Sequence, residues 1–257
     1  MVQYLLTPSG ELEQARNCGL PLVHLDFSLG KDGLLHHSRL PDACRGGLML
    51  AGAAEAPENG PPDRAVRAVL ALCRDRNFRG VVLDREGPPT PYLSRLIRDL
   101  DRGLAQAERG FFLPEPFARF SRRAFLYLSS AVSGGSLTRR LREAAEEYGA
   151  ARLVFALERT AEEFPIPAPG GAGKPLELEE LEDLLRRLRP AVRFSADLCA
   201  YYFTYLDRKS RPRLVLFDRA DSLRKKQELA REAGIERFFL LYPQVEDLLP
   251  DLILISD

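Results

Sequence analysis

Short apolar runs alternate with amphipathic stretches along almost the whole chain. "VQYLL" (2–6) precedes a helical "GELEQARNCG" (10–19), and "LVHLDFS" (22–28) and "GLMLA" (47–51) are the next two strand-like runs. "PPDRAVRAVLALCRDRN" (61–77) puts proline in a first turn and apolar residues at Val66, Val69, Leu70 and Cys73, the spacing of one helical face. "GVVLD" (80–84) predicts a strand and "TPYLSRLIRDLDRGLAQAERG" (90–110) a helix, with Thr90 as its N-cap ahead of Pro91. The second half keeps the rhythm. Strands are predicted at 124–130, 151–158, 213–218 and 237–243, and helices at 133–149, 176–189 and 222–234, the first and last of which stop at Gly149 and Gly234.

Such alternation means parallel strands joined by helical crossovers. The eight strands counted this way fit an α/β fold, a (β/α)8 TIM barrel forming a single domain over residues 1–257, with a doubly wound open parallel sheet as the alternative. "GFFL" (110–113), "AVRFS" (191–195) and "AYYFTY" (200–205) are further strand candidates, which leaves the assignment between 110 and 217 open. "FPIPAPGGAGKP" (164–175) is rich in proline and glycine and reads as a loop; following a strand, it is expected on the barrel face where chemistry occurs. No composition shift marks a domain boundary and no internal repeat is present. A chain of 257 residues buries about three quarters of the surface it exposes when unfolded, so a full core is available without metal or disulfide staples.

Lys+Arg and Asp+Glu balance at 37 each, which removes the electrostatic case for a nucleic-acid or membrane partner. Cys18, Cys44, Cys73 and Cys199 are far apart and form no C-x-x-C, so they read as reduced, mostly buried thiols of an intracellular protein rather than zinc ligands. The N-terminus lacks a basic segment followed by an apolar one, so no signal peptide is expected, and no run approaches the ~18 apolar residues of a membrane span. A cytoplasmic location follows, with association with a spore or envelope layer as a further option. "PAPGGAGKP" fails the phosphate-loop pattern at Ala168 and Pro175, and no cofactor is expected.

The chemistry-bearing stretch is "NFRGVVLDREGPP" (77–89). Strand alternation puts Asp84 and Glu86 on one face and Arg85 on the other, with Cα atoms roughly 6.6 Å apart along the two acids. At the end of a barrel strand that face is the mouth of the barrel. Neighbouring carboxylates repel when both are ionised, which favours keeping one protonated, and a protonated carboxyl is a general acid worth about 10²–10⁴-fold in rate. A solvated strand end would carry the same residues. His24 and Asp26 share a face of the second run and, lacking a third ligand, read as core or cleft-lining groups rather than a metal site. "CAYYFTY" (199–205), which includes Tyr205, has enough rings to line a sugar groove, or simply alternates in a buried strand. "SSAVSGGS" (129–136) offers backbone N–H groups to an anion or a sugar hydroxyl, or is a turn capped by Ser136.

"FRGVVLDRE" resembles the fourth-strand signature of family 18 glycoside hydrolases, the chitinase-like barrels, whose pattern is F-D-G-x-D-x-D-x-E: Phe78, Gly80, Asp84 and Glu86 match. The resemblance implies that Glu86 is the general acid and that Asp84 orients the substrate's N-acetyl group, whose oxygen is the nucleophile in that family. "LVLFDRADSLRKKQELAREAGIERFFLLYP" resembles the family's closing segment through Phe217, Asp218, Ser222, Lys226, Ala230 and Gly234, and "HLDFSLGKDGLLH" (24–36) resembles its second strand. Arg79 and Val82 stand where the family has its first two aspartates, so Asp84 is expected to lack the hydrogen bond that the second of them gives in the family. "FALERT", taken as the sixth strand, has Leu157 and Glu158 in place of a Tyr-Asp pair, and with no Trp in the chain Tyr242 is the nearest substitute for the floor under the sugar. Glu158, Arg159, Tyr127, Tyr242, Asp26 and Tyr205 are accordingly the candidate substrate-binding residues. The implied function is hydrolysis of a β-linked N-acetyl amino-sugar glycan, chitin- or peptidoglycan-type, so the expected partner is an oligosaccharide. The same departures fit an inactive barrel that binds a glycan or a partner. A barrel enzyme for a phosphorylated metabolite would need an anion site near residues 133–136.

Overall fold

The apolar alternation resolves into fourteen strands and eight α-helices among the residues that the computed structural model describes, 1–167 and 173–253. In chain order these are β1 (Val2–Thr7), α1 (Leu12–Asn17), β2 (Leu22–Leu29), β3 (Leu35–His37), β4 (Leu48–Gly52), α2 (Asp63–Asp75) and β5 (Gly80–Asp84). There follow α3 (Pro91–Gln106), β6 (Gly110–Pro114), β7 (Phe125–Ser129), α4 (Leu137–Tyr148), β8 (Leu153–Leu157), β9 (Ala161–Pro165), β10 (Lys174–Pro175) and α5 (Leu178–Leu188). The chain ends with β11 (Arg193–Ser195), β12 (Ala200–Leu206), β13 (Pro212–Phe217), α6 (Ala220–Glu232), β14 (Arg237–Leu241), α7 (Tyr242–Val245) and α8 (Leu249–Leu252). Among the described residues no helix is long and apolar enough to cross a membrane. Contacts divide the chain into two compact units: residues 1–128, 151–156 and 236–243, and residues 129–150, 157–235 and those from Gln244 onward.

The strands of a (β/α)8 TIM barrel lie in the first unit. Its eight strands run in the order β1-β14-β8-β7-β6-β5-β4-β2, and β2 pairs back onto β1 to close the ring. β3 is an antiparallel hairpin partner of β2 outside that ring. Alternation sorts the side chains. Val23, Leu48, Val82, Phe112, Val154 and Phe239 point inward and pack as one cluster with Tyr4, Leu6, Phe125 and Tyr127. The intervening residues, such as Met49, Val81 and Leu83, are buried on the outer face, where the Cys73 thiol of α2 lies 3.8 Å from the Met49 sulfur. α2 and α3 approach closely at Gly103, where a Cβ would fall 2.6 Å from Leu70 Cδ1. Thr90 caps α3 as expected, its Oγ1 accepting from Leu93 N at 3.2 Å ahead of Pro91.

One strand of the expected barrel belongs elsewhere. "RLVLFD" (213–218) is not a barrel strand: β13 sits inside a five-stranded antiparallel sheet of the second unit, ordered β10-β9-β13-β12-β11, and "GFFL" (110–113) takes the barrel place as β6. Val215 and Phe217 pack with Phe203 and with Leu181 of α5, while Leu216 packs on the opposite face with Phe164 and Ala200. A strand buried on both faces is a continuous apolar run in either setting, so periodicity does not separate the two. The count of eight survives the exchange, and β7 and β8 become the sixth and seventh barrel strands. The loop expected at 164–175 is β9 at its start and β10 at its end; its residues 168–172 lie outside those described.

The ends of this sheet are clasped by a buried polar cluster. Asp218 N donates to Thr160 O at 2.8 Å, and Thr160 N donates back to Asp218 Oδ2 at 3.0 Å. Lys226 Nζ donates to the same carboxylate at 2.8 Å with both side chains essentially inaccessible (1% and 0%), and Ser222 Oγ donates to Asp218 Oδ1 at 2.8 Å. α6 begins at Ala220, two residues ahead of the expected start, and Ser222 accepts from Arg219 N within its first turn at 3.0 Å. Three of the residues that carried the resemblance to a closing segment, Asp218, Ser222 and Lys226, therefore build this cluster.

Removing one partner leaves an uncompensated buried charge, so Lys226→Met should lower stability by about 3–5 kcal/mol; a loss in urea denaturation below about 1 kcal/mol, the worth of a surface pair, would contradict the buried pairing. Burial pushes the thiols of Cys44, Cys73 and Cys199 up to about 11, whereas Cys18 is only half-buried. In the native protein at mild alkaline pH a thiol reagent should modify Cys18 alone promptly, the other three reacting only with denaturant; prompt reaction of all four would refute this.

Candidate functional site

Parallel strands bring all their C-terminal ends to one rim of the barrel. On that rim β5 ends at Asp84, whose register partner on β4 is Gly52. Arg85 and Glu86 continue past the strand, and Gly87, at φ +85°, turns the chain toward the Thr90 cap. Asp84 shares the inward face with Val82 and is exposed above it. Tyr127, inward on β7, lies two strands away, a span of about 10 Å; its hydroxyl donates to Asp84 Oδ1 at 2.7 Å. Val82, where the resemblance would place an aspartate, is 1% exposed in the barrel core. The hydrogen bond that Asp84 was expected to lack comes instead from Tyr127.

That finding corrects the strand reading. "FALERT" is the end of the seventh barrel strand, and the sixth, β7, does carry a tyrosine. Leu128 follows Tyr127 and is buried, so no acid stands beside it.

Arg85 is held on the outside. Its Nη1 donates to Ala53 O at 2.9 Å and to Ala54 O, while Ala53 N donates to Asp84 O at 2.7 Å, so the residue between the two acids is tied to the segment following β4. Glu86 is exposed and makes no hydrogen bond or ion pair among the described residues.

The other expected contacts fall in several places. Asp26 accepts from Ser9 N at 3.1 Å and from Ser9 Oγ, within the irregularity of β2 between His24 and Phe27. His24 is core, its ring 5.4 Å from that of Phe78, and burial lowers its pKa, with the Asp26 charge acting against that fall. Tyr242, at the end of β14, is 3% exposed and presents no open ring face of the kind a stacked sugar needs. In the second unit, Ser130 Oγ brackets Glu158, donating to its carbonyl at 3.3 Å and accepting from its N–H at 2.9 Å. Arg159 Nη1 donates to Asp247 Oδ1 at 2.8 Å and to Gln244 O at 3.3 Å. Tyr205, on β12, donates to Glu163; burial and that acceptor push its hydroxyl up to about 12. The aromatic run 199–205 is explained by packing on the two faces of the antiparallel sheet.

A feature absent from the sequence reading lies beside Asp84. A cleft of about 570 Å3 opens at the ends of β2 and β4, lined by Lys31, Asp32, His36, Gly52 and Glu55 among others. Its wall is a fixed turn: Leu34 N donates to Asp32 Oδ1 at 3.0 Å, Tyr92 OH donates to Gly33 O at 3.2 Å, and His36 Nε2 lies 2.9 Å from Asp32 Oδ1. A Cβ on Gly30 would fall 2.7 Å from His36 Nε2, so glycine is what lets the ring lie there. The dense polar turn "GKDG" was the available signal.

No protein-family model matches the chain, and no curated protein matches it by sequence. Solved structures similar to it include the spore cortex-lytic enzyme SleL of Bacillus megaterium QM B1551, with TM-score 0.70 and 16% identity over 99% of this chain and 74% of that one. A chitinase from Chromobacterium violaceum ATCC 12472 has TM-score 0.74 and 16% identity over 97% of each chain. A family 18 chitinase from Cycas revoluta in complex with (GlcNAc)3 has TM-score 0.58 and 14% identity over 97% of this chain and 98% of that one. The likeness establishes a chitinase-like fold.

The Arg85 tether makes a checkable claim about local order. Arg85→Met should leave the barrel folded while amide hydrogen exchange at Ala53 and Gly87 rises by about tenfold or more, as a local opening becomes easier. Exchange indistinguishable from wild type at both amides would show that the tether does not hold the segment.

Proposed function

We propose that the barrel is a glycoside hydrolase for β-linked N-acetyl amino-sugar glycans, working by substrate-assisted acid catalysis. The observation that carries the reading is the placement of Asp84 and Glu86 at the rim end of the fourth barrel strand, with Tyr127 donating to Asp84 at 2.7 Å. Glu86, exposed and in no ion pair among the described residues, gives its proton to the glycosidic oxygen as the C–O bond breaks. The substrate's acetamido oxygen attacks the anomeric carbon. Asp84 accepts the acetamide N–H and balances the charge of the closing ring, its other oxygen being steadied by Tyr127. Water then opens that ring with Glu86 as base, and the acid is regenerated.

The cleft beside Gly52 extends the space in which further sugar units can lie. Similarity in fold to a chitinase holding (GlcNAc)3 supports a glycan as substrate, and similarity to a spore cortex-lytic enzyme favours the peptidoglycan type. A second reading, glycan binding without cleavage, is favoured by Val82, which stands in the core where the resemblance would place an aspartate.

Wild type, Glu86→Gln and Tyr127→Phe should be compared on chitooligosaccharides and on muropeptide glycans. Hydrolysis should fall about 10²-fold or more in Glu86→Gln with binding retained. In Tyr127→Phe, losing one hydrogen bond to a charged group should lower kcat roughly ten- to a hundredfold. Equal background turnover by all three with glycan binding intact would establish the binding module in place of the enzyme.

A further inference from the structure

The opposite end of the barrel is hollow. β5 and β6 begin with glycines on the inward face, Gly80 below Val82 and Gly110 below Phe112, so the lowest layer of the interior lacks two side chains. A Cβ on Gly80 would fall 2.5 Å from Gly110 O; the approach of these two strands excludes any larger residue. The result is a cavity of about 750 Å3 at the strand starts, reaching Tyr4, Phe112 and Phe125. Such a volume suits a small organic ligand.

The rim of that cavity is basic. Arg16, Arg45 and Arg79 line it, Asn77 adds an amide, and no lining residue is a carboxylate. Among the described residues none of the three arginines is in an ion pair, and only Arg16 has a side-chain hydrogen bond, to Ala43 O. Arg237 stands at the same end with its guanidinium 4.5 Å from the centre of the Phe125 ring. Burial raises the Tyr4 hydroxyl pKa, and the charges of Arg237 and Arg79 act against that rise, which places both within electrostatic reach of the cavity's floor. In a chain whose formal charges cancel, this is a local concentration of cations with no carboxylate in the cavity's lining. Planar guanidinium groups suit phosphate oxygens, and the aromatic floor suits a flat apolar ring.

We propose that this cavity is a binding site for an organic phosphate of the nucleotide class, its phosphates on Arg45, Arg79 and Arg16 and its ring against Tyr4 and Phe125. The site is independent of Asp84 and Glu86, which lie at the other end of β5.

The test is calorimetric titration of the full chain with ADP, with pyrophosphate and adenosine as separate arms, and with amide chemical shifts of Gly46, Gly47, Asn77 and Gly110 followed in parallel. ADP should bind more tightly than either fragment and shift those amides. The exposed pair Arg45→Glu/Arg79→Glu should weaken ADP about a hundredfold, as expected for loss of two charge-assisted contacts, whereas Arg186→Glu/Arg187→Glu on α5 should change nothing. Arg79→Met, a milder change, should weaken ADP about tenfold if the double variant fails to fold. No ADP binding, pyrophosphate binding as tight as ADP, or equal weakening by the α5 control would each overturn the proposal.

Discussion

Closure of the sheet between β1 and β2 is the constraint on which the other features rest. β1 pairs in parallel with β14 on one side, Leu5 against Leu240, and with β2 on the other, Leu5 against Leu22. Once the ring is closed, every strand start is at one end and every strand finish at the other, and each side chain is either inside or outside. The five residues of β5 illustrate the result. Gly80 opens the base, Val82 fills the middle, Asp84 reaches the rim, and Val81 and Leu83 are buried on the outer face. One strand thus serves a hollow cationic end, a dry core and an acidic mouth, over a length of about 13 Å.

Much of this was legible in the residues alone. The alternation of runs pointed to the barrel, Thr90 and Ser136 were readable as helix caps, and the acids of 84 and 86 were readable as a strand end; Ser136 Oγ accepts from Arg139 N at 3.4 Å. The exchange of β6 and β13 was not legible, because "GFFL" is short and "RLVLF" is apolar on both faces. Hydrophobic period reports burial and is silent about which sheet does the burying. The partner of Asp84 was illegible for a related reason. A local motif expects help from residue 82, two positions away, whereas Tyr127 comes from another strand and meets Asp84 only after the ring has closed.

Charge neutrality was misleading at finer scale. Equal totals of acid and base exclude a strongly polyanionic partner for the whole surface, yet the cavity at the base of the barrel is lined by arginines without acids, while the rim mixes Asp84, Glu86, Asp32 and Glu55 with Lys31, His36 and Arg85. An average over 257 residues carries no information about this polarity along the barrel axis.

The clasp at Thr160 and Asp218 has a topological corollary. Ala161 and Phe217 face each other across one ladder, so the five-stranded sheet departs from and returns to neighbouring points of the chain, separated by about one strand spacing, 4.8 Å. A crossover that must travel from β8 to α6 therefore experiences the whole excursion as a short hairpin stem. Both ends of the excursion thus meet in one ladder, so the sheet is entered and left through a single pair of neighbouring strands, β9 and β13.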